Sequence, residues 1–199
     1  MSQALPDWLS RKLGAAAAGE KAGGLAIASL GEERGFGRGG FTLSSPAFAD
    51  GEPLDPCFTA DEEDAVAPPL EWTAPPPGTQ ELAVVVEDVD AGADGPRCHW
   101  LVWGLPGQKG KLLEGEAPPR VGKNGVGNSE WLLPDVPPAS GTHRFVFQIF
   151  ALELPLTLMP GAGRDELVAQ MRGNVMASAL ITASYEGYEE EEWDEGDAA

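Results

Sequence analysis

Residues 82–103 read LAVVVEDVDAGADGPRCHWLVW. Two short apolar runs, 82–86 and 100–103, are rich in β-branched and aromatic residues, the texture of strands. Between them the chain carries Gly92, Gly95 and Pro96, which suits a hairpin connection rather than a helix. Antiparallel pairing of the two runs returns His99 to the end of the strand that carries Asp88. Side chains alternate faces along a strand, so Asp88 and Asp90 are expected on one side. The chain has two histidines, and the second, His143, lies in GTHRF (141–145) at the edge of another apolar run. The expectation is a cluster of two carboxylates and at least one imidazole at one end of a sheet.

Strand candidates fall at 41–44, 82–87, 99–104, 144–152 and 176–185. Residues 145–152 (FVFQIFAL) are apolar on both faces apart from Gln148, the mark of a central strand. Short strands separated by turn residues argue for an all-β sandwich over alternating strand and helix units. Prolines at 68–69, 75–77, 118–119 and 134–138 keep those segments out of central strands. Residues 164–173 (RDELVAQMRG) read as a helix, with acids in its first turn and Gly173 as its stop. Near the N-terminus, Leu5, Trp8, Leu9 and Leu13 recur at helical spacing behind Pro6, extended by Ala15–Ala18. That helix is expected to pack on its own domain or on a second copy. Glycine-rich chain follows at 19–24 and 35–40. Residues 185–199 (YEGYEEEEWDEGDAA) hold eight acids and no base and are expected to be disordered. The resulting division is an N-terminal helix and arm (1–40), a β domain (41–186) and an acidic tail (187–199).

The formal charge of −19 argues against nucleic acid, which needs clustered Lys and Arg, and against stable association with anionic membranes. No run reaches the roughly 18 apolar residues of a membrane span. Ala15–Ala18 is too short for the core of a signal peptide. Two cysteines, Cys57 and Cys98, are too few for a disulfide framework, although one bridge would join them. A reducing cytoplasm is the expected location.

A set of ordered motifs resembles a known family. Ala67-Pro68-Pro69-Leu70-Glu71-Trp72 is similar to the S-P-P-L-x-W element of the phosphatidylethanolamine-binding proteins, in their bacterial Raf-kinase-inhibitor-like branch. Asp88-Val89-Asp90 resembles the family's D-P-D, and His99-Trp100-Leu101-Val102-Trp103 its H-W strand. Trp131-Leu132-Leu133-Pro134-Asp135-Val136-Pro137-Pro138 followed by His143-Arg144-Phe145 resembles its Pro-rich loop and H-R-Y. Phe41–Phe48 fits its first strand. The matches run in order from about 41 to 185. Each is weak alone; their order carries the resemblance. It implies a mainly β fold, a two-sheet antiparallel β-sandwich with peripheral helices and a small anion pocket at one edge.

Carried over residue by residue, that pocket draws on Asp88, Asp90, His99, Trp131, Pro134, Pro137, Pro138, His143 and Phe145, with no metal and no cofactor. The chemistry is reasonable on its own terms. An imidazole can donate to a phosphate oxygen while a neighbouring carboxylate sets its tautomer. Each such charge-assisted bond is worth roughly 1.5–3 kcal/mol. Val89 stands for the family's Pro, Gly92 for a second Pro, Phe145 for Tyr, and Asp61-Glu62-Glu63-Asp64 for a less acidic turn. The expected function is a non-enzymatic module that binds a small anionic or phospho-ligand and modulates a protein partner. Two alternatives stand beside it: a hydrolase using His99 or His143 as base with Asp88, and a surface interaction or inhibitor protein with a vestigial pocket. The bland readings are a polar strand-end network, with Asp90 pairing Arg144, and histidines that only pack.

Overall fold

The computed structural model describes residues 4–19, 21–92 and 94–187, so the acidic tail beyond Gly187 lies outside the described residues. Two antiparallel sheets face each other. The larger takes the order β6-β4-β3-β7-β8, from strands β3 (Glu81–Asp88), β4 (Arg97–Pro106), β6 (Arg120–Val121), β7 (His143–Leu152) and β8 (Val175–Tyr185). The smaller is β1 (Leu43–Ser44), β2 (Leu70–Trp72) and β5 (Gly110–Leu112), in the order β1-β2-β5. The five long-range strand expectations hold with ends displaced by a residue or two. β2, β5 and β6 were not foreseen, since strands of two or three residues carry no readable period.

Every residue of β3 is buried, because the large sheet is covered on both faces. Its even-numbered side chains, Leu82, Val84 and Val86, join Trp100, Phe145, Phe147 and Trp72 between the sheets. Its odd-numbered ones, Ala83 and Val85, meet a second cluster built on Leu101, Trp103, Val146 and Phe150. Fully burying each such side chain is worth roughly 1.5–3 kcal/mol, so both layers are needed.

The second layer comes largely from the N-terminal segment. Helix α1 (Asp7–Leu13) buries Leu9 and Leu13 on the sheet, and Trp8 packs against Phe36 at 5.7 Å. The helix therefore packs on its own chain. Residues 14–18 continue as a 3-10 turn, not as the expected extension of the α-helix, because Gly14 breaks the ladder at φ 55°. A short helix, α2 (Ala26–Leu30), follows, and α3 (Arg164–Met171) completes the layer.

A buried polar network ties this layer to the sheet. Glu87 is fully buried and accepts from Arg164 Nε at 2.6 Å, Gln148 Nε2 at 2.8 Å and the Ala26 amide at 2.8 Å. Gln148 in turn accepts from the Ile27 amide at 2.7 Å. The lone polar residue of the 145–152 run is thus the anchor for α2. Such a charge is tolerated only because each oxygen is paired.

Candidate functional site

The site forms where β3 ends beside β4 and β7. Asp88 lies opposite Phe145 on one side and Arg97 on the other. It sits on the even-numbered face of β3, at the edge of the cluster between the sheets. His143 opens β7, and its Nδ1 donates to Asp88 Oδ2 at 2.6 Å. Asp88 Oδ1 accepts from the Asp90 amide at 2.8 Å. Both carboxylate oxygens are therefore occupied inside the protein.

His99 reaches the same place through an irregularity. Regular alternation along β4 would send it to the face of Leu101 and Trp103. The β3–β4 register shifts between Val86 and Glu87, which pair with Trp100 and Cys98. His99 is the extra residue at this bulge, and bulges re-aim side chains. Its ring lies edge-on to Phe145 with centroids 4.9 Å apart, and 6.0 Å from Trp131.

The tautomer of His99 follows from geometry. Nδ1 is 2.7 Å from the Leu132 carbonyl oxygen, which can only accept, so Nδ1 carries the proton. Burial pushes the imidazole down to about 4, against the opposing pull of the Leu132 carbonyl and the Asp88 charge. The ring is neutral at physiological pH, and Nε2 presents a lone pair. That nitrogen is buried and has no hydrogen-bond partner among the described residues. With Nδ1 committed to Leu132, the atom His99 has left for a ligand is the acceptor Nε2.

A cavity of about 340 Å³ opens onto these groups. Asp88, His99, Pro137, His143 and Phe145 all line it, as do residues the sequence did not single out, among them Arg97, Leu132 and Ser140. Arg97 was findable, since a hairpin that returns His99 to Asp88 also brings its predecessor but one alongside. Leu132 contributes through a backbone carbonyl, which no residue identity announces.

The remaining expected site residues lie elsewhere. Asp90 does not share a side with Asp88, because β3 ends at Asp88 and the alternation ends with it. The Asp90 carboxylate instead accepts from Arg144 Nε at 2.7 Å and the Arg144 amide at 2.8 Å. Arg144 also donates to the Ala15 carbonyl at 2.6 Å, so the pair clamps the N-terminal layer. Trp131 stands behind the His99 ring and donates through Nε1 to the Phe58 carbonyl at 3.0 Å. Pro134 accepts from the Ala60 amide at 2.9 Å, and Pro138 starts a 3-10 turn; neither lines the cavity. In the acidic 61–64 turn, Asp61 accepts from Tyr185 Oη at 3.0 Å. Both cysteines are free thiols, and burial pushes Cys98 up to about 12, leaving it unreactive. Among the described residues no group of three or more His, Cys, Asp or Glu side chains is arranged to hold a metal, and no helix is long and apolar enough to cross a membrane.

Residues 44–186 match the family model described as phosphatidylethanolamine-binding protein. The UPF0098 protein of Aquifex aeolicus is 34% identical over 160 residues, covering 75% of this chain and 92% of that one. A Mycobacterium tuberculosis protein named as a lipoprotein, LppC, is 35% identical over 150 residues, 73% of this chain and 72% of its own length. Among solved structures, a homologue from Chlamydia trachomatis superposes with a TM-score of 0.70 at 29% identity, covering 74% of this chain and 98% of that one. YbcL of Escherichia coli shares the fold, with a TM-score of 0.68 at 23% identity over 74% of this chain and 99% of its own.

Proposed function

Because this chain belongs to the phosphatidylethanolamine-binding protein family, we propose that it is a non-catalytic binding module whose cavity at Asp88, His99 and His143 takes a small phospho-ligand and so modulates a protein partner. One observation carries the reading: the buried, unpartnered Nε2 of His99 on the cavity wall. An orphaned acceptor at that depth costs about 1–3 kcal/mol, which a ligand bearing a proton donor recovers. A singly protonated phosphate supplies both halves of the match. Its P–OH donates to His99 Nε2, and its charged oxygens meet Arg97, which is exposed and lines the same cavity. The bond from His143 to Asp88 holds both side chains in one orientation on the cavity lining. We place the protein in the cytoplasm, where a reducing environment suits two unpaired thiols.

The test is a residue-resolved NMR titration with a phosphomonoester. Both imidazoles are expected to shift saturably, with His99 keeping the signature of a neutral ring throughout. Affinity should fall as pH rises through about 6, where the phosphate loses its remaining proton. Absence of any His99 response refutes the proposal. The hydrolase reading draws support from the short His143–Asp88 bond, an arrangement that also suits a general base. Turnover of a phosphomonoester abolished by His143→Ala would favour it.

A further inference from the structure

Away from the histidine cavity, the chain between α2 and β1 forms a parallel bridge at Phe36 with Ser178 of β8. The Gly37 amide donates to the Ser178 carbonyl at 2.9 Å, and the Ser178 amide to the Gly35 carbonyl at 3.1 Å. Phe36 is held in turn against Trp8. This pinning sets Arg34 and Arg38 on either side of the bridge, two residues to each side of Phe36. Gly37 and Gly39 adopt φ of 65° and 69°, which a side chain would resist, and so present Arg38 on a tight turn.

A cleft of about 640 Å³ lies between this segment and the start of β8, lined by Glu32, Arg34, Arg38, Met176 and Ser178 among others. Glu32 is its one carboxylate among the described residues, and it occupies only Nε of Arg34, at 2.8 Å. The terminal nitrogens of Arg34 are left over, on a side chain that is 89% exposed. Arg38 makes no ion pair among the described residues. Ser178, which also lines the cleft, is 1% exposed, and its hydroxyl has no hydrogen-bond partner among the described residues. Buried hydroxyls are paired as a rule, so an orphan on a cleft wall points to a missing oxygen.

We propose that this cleft is a second anion site, taking a phosphate group. The guanidinium forks of Arg34 and Arg38, both on the segment between α2 and β1, line one cleft with Ser178 of β8, and a tetrahedral phosphate offers oxygens in several directions to such donors. In a chain of charge −19, two arginines facing one cleft are a local reversal of sign that concentrates small anions from solution. The site is independent of the histidine cavity.

The probe is inorganic phosphate added to the full chain at constant ionic strength, followed by amide NMR, with acetate as the screening control. Saturable shifts are expected at residues 34–38 and 176–178. Arg38→Gln and Ser178→Ala should each weaken phosphate about tenfold, the loss of one hydrogen bond. Ser178→Ala should fold normally, since removing an orphaned hydroxyl sacrifices no bond and Ala177 and Ala179 already flank it in β8. Shifts confined to the residues around His99 and His143 overturn the second site while leaving the first intact. Equal response to acetate, or Ser178→Ala binding phosphate as tightly as the native chain, also overturns it.

Discussion

Acid should destabilise this protein through His99, beginning at a pH above the range in which ordinary carboxylates titrate. Burial pushes the folded imidazole down to about 4 from its ordinary 6.5. The folded state therefore resists protonation and the unfolded chain accepts it. Stability is fully present above the unfolded value and is lost as pH falls from 6.5 towards 4. At 1.36 kcal/mol for each unit, the loss over that window is about 3 kcal/mol, a large fraction of the total for a domain of this kind. The measurement is urea unfolding at a series of pH values, for the native chain and for His99→Gln. The glutamine amide can still donate to the Leu132 carbonyl but does not titrate. Subtracting the two profiles removes the carboxylates common to both. The difference should be flat above neutrality and should steepen below it by up to one proton's slope. Parallel profiles would show that His99 is protonated at no unusual cost, and the assignment of Nε2 as a buried acceptor would fall with it.

Other consequences follow from the same geometry. Asp88→Asn keeps the shape but removes the charge that orients His143, and should cost roughly 1.5–3 kcal/mol in denaturant melts while broadening the His143 ring resonances. Leu9→Ala opens a hole under a fully buried side chain and should cost about 2–5 kcal/mol, with the sedimenting mass unchanged because α1 packs within its own chain. Glu87→Gln strands Arg164 beside a neutral amide and should cost about 3–5 kcal/mol, with hydrogen exchange accelerating first at the amides of Ala26 and Ile27.

The features readable in the sequence are those set by local period and local chemistry. Apolar runs with strand texture marked β3, β4, β7 and β8, and the acid-led RDELVAQM segment marked α3. The Gly- and Pro-containing connection at 91–96 implied the hairpin that brings β4 back to Asp88. The resemblance carried by the motifs from Phe41 onward agrees with the two-sheet fold. Short strands were invisible because two or three residues establish no alternation. The N-terminal layer was half visible: Leu9 and Leu13 showed the helix, but Gly-rich chain concealed that residues 22–30 also cover the sheet.

The histidine cavity divides along the same line. Residue type and order placed Asp88 and His99 near one sheet end, and the family resemblance added His143. Tertiary structure decided which of them share a face and what each ring can do. A bulge, a matter of register between two strands, turned His99 towards Asp88 where strict alternation would have turned it away. The end of β3 released Asp90 to pair with Arg144. The proton on His99 was assigned by the Leu132 carbonyl, 33 residues along the chain. Alternation and propensity are properties of neighbouring residues and are written into the sequence. A proton's position depends on which oxygen lies within hydrogen-bond reach, and only the folded chain brings that oxygen there.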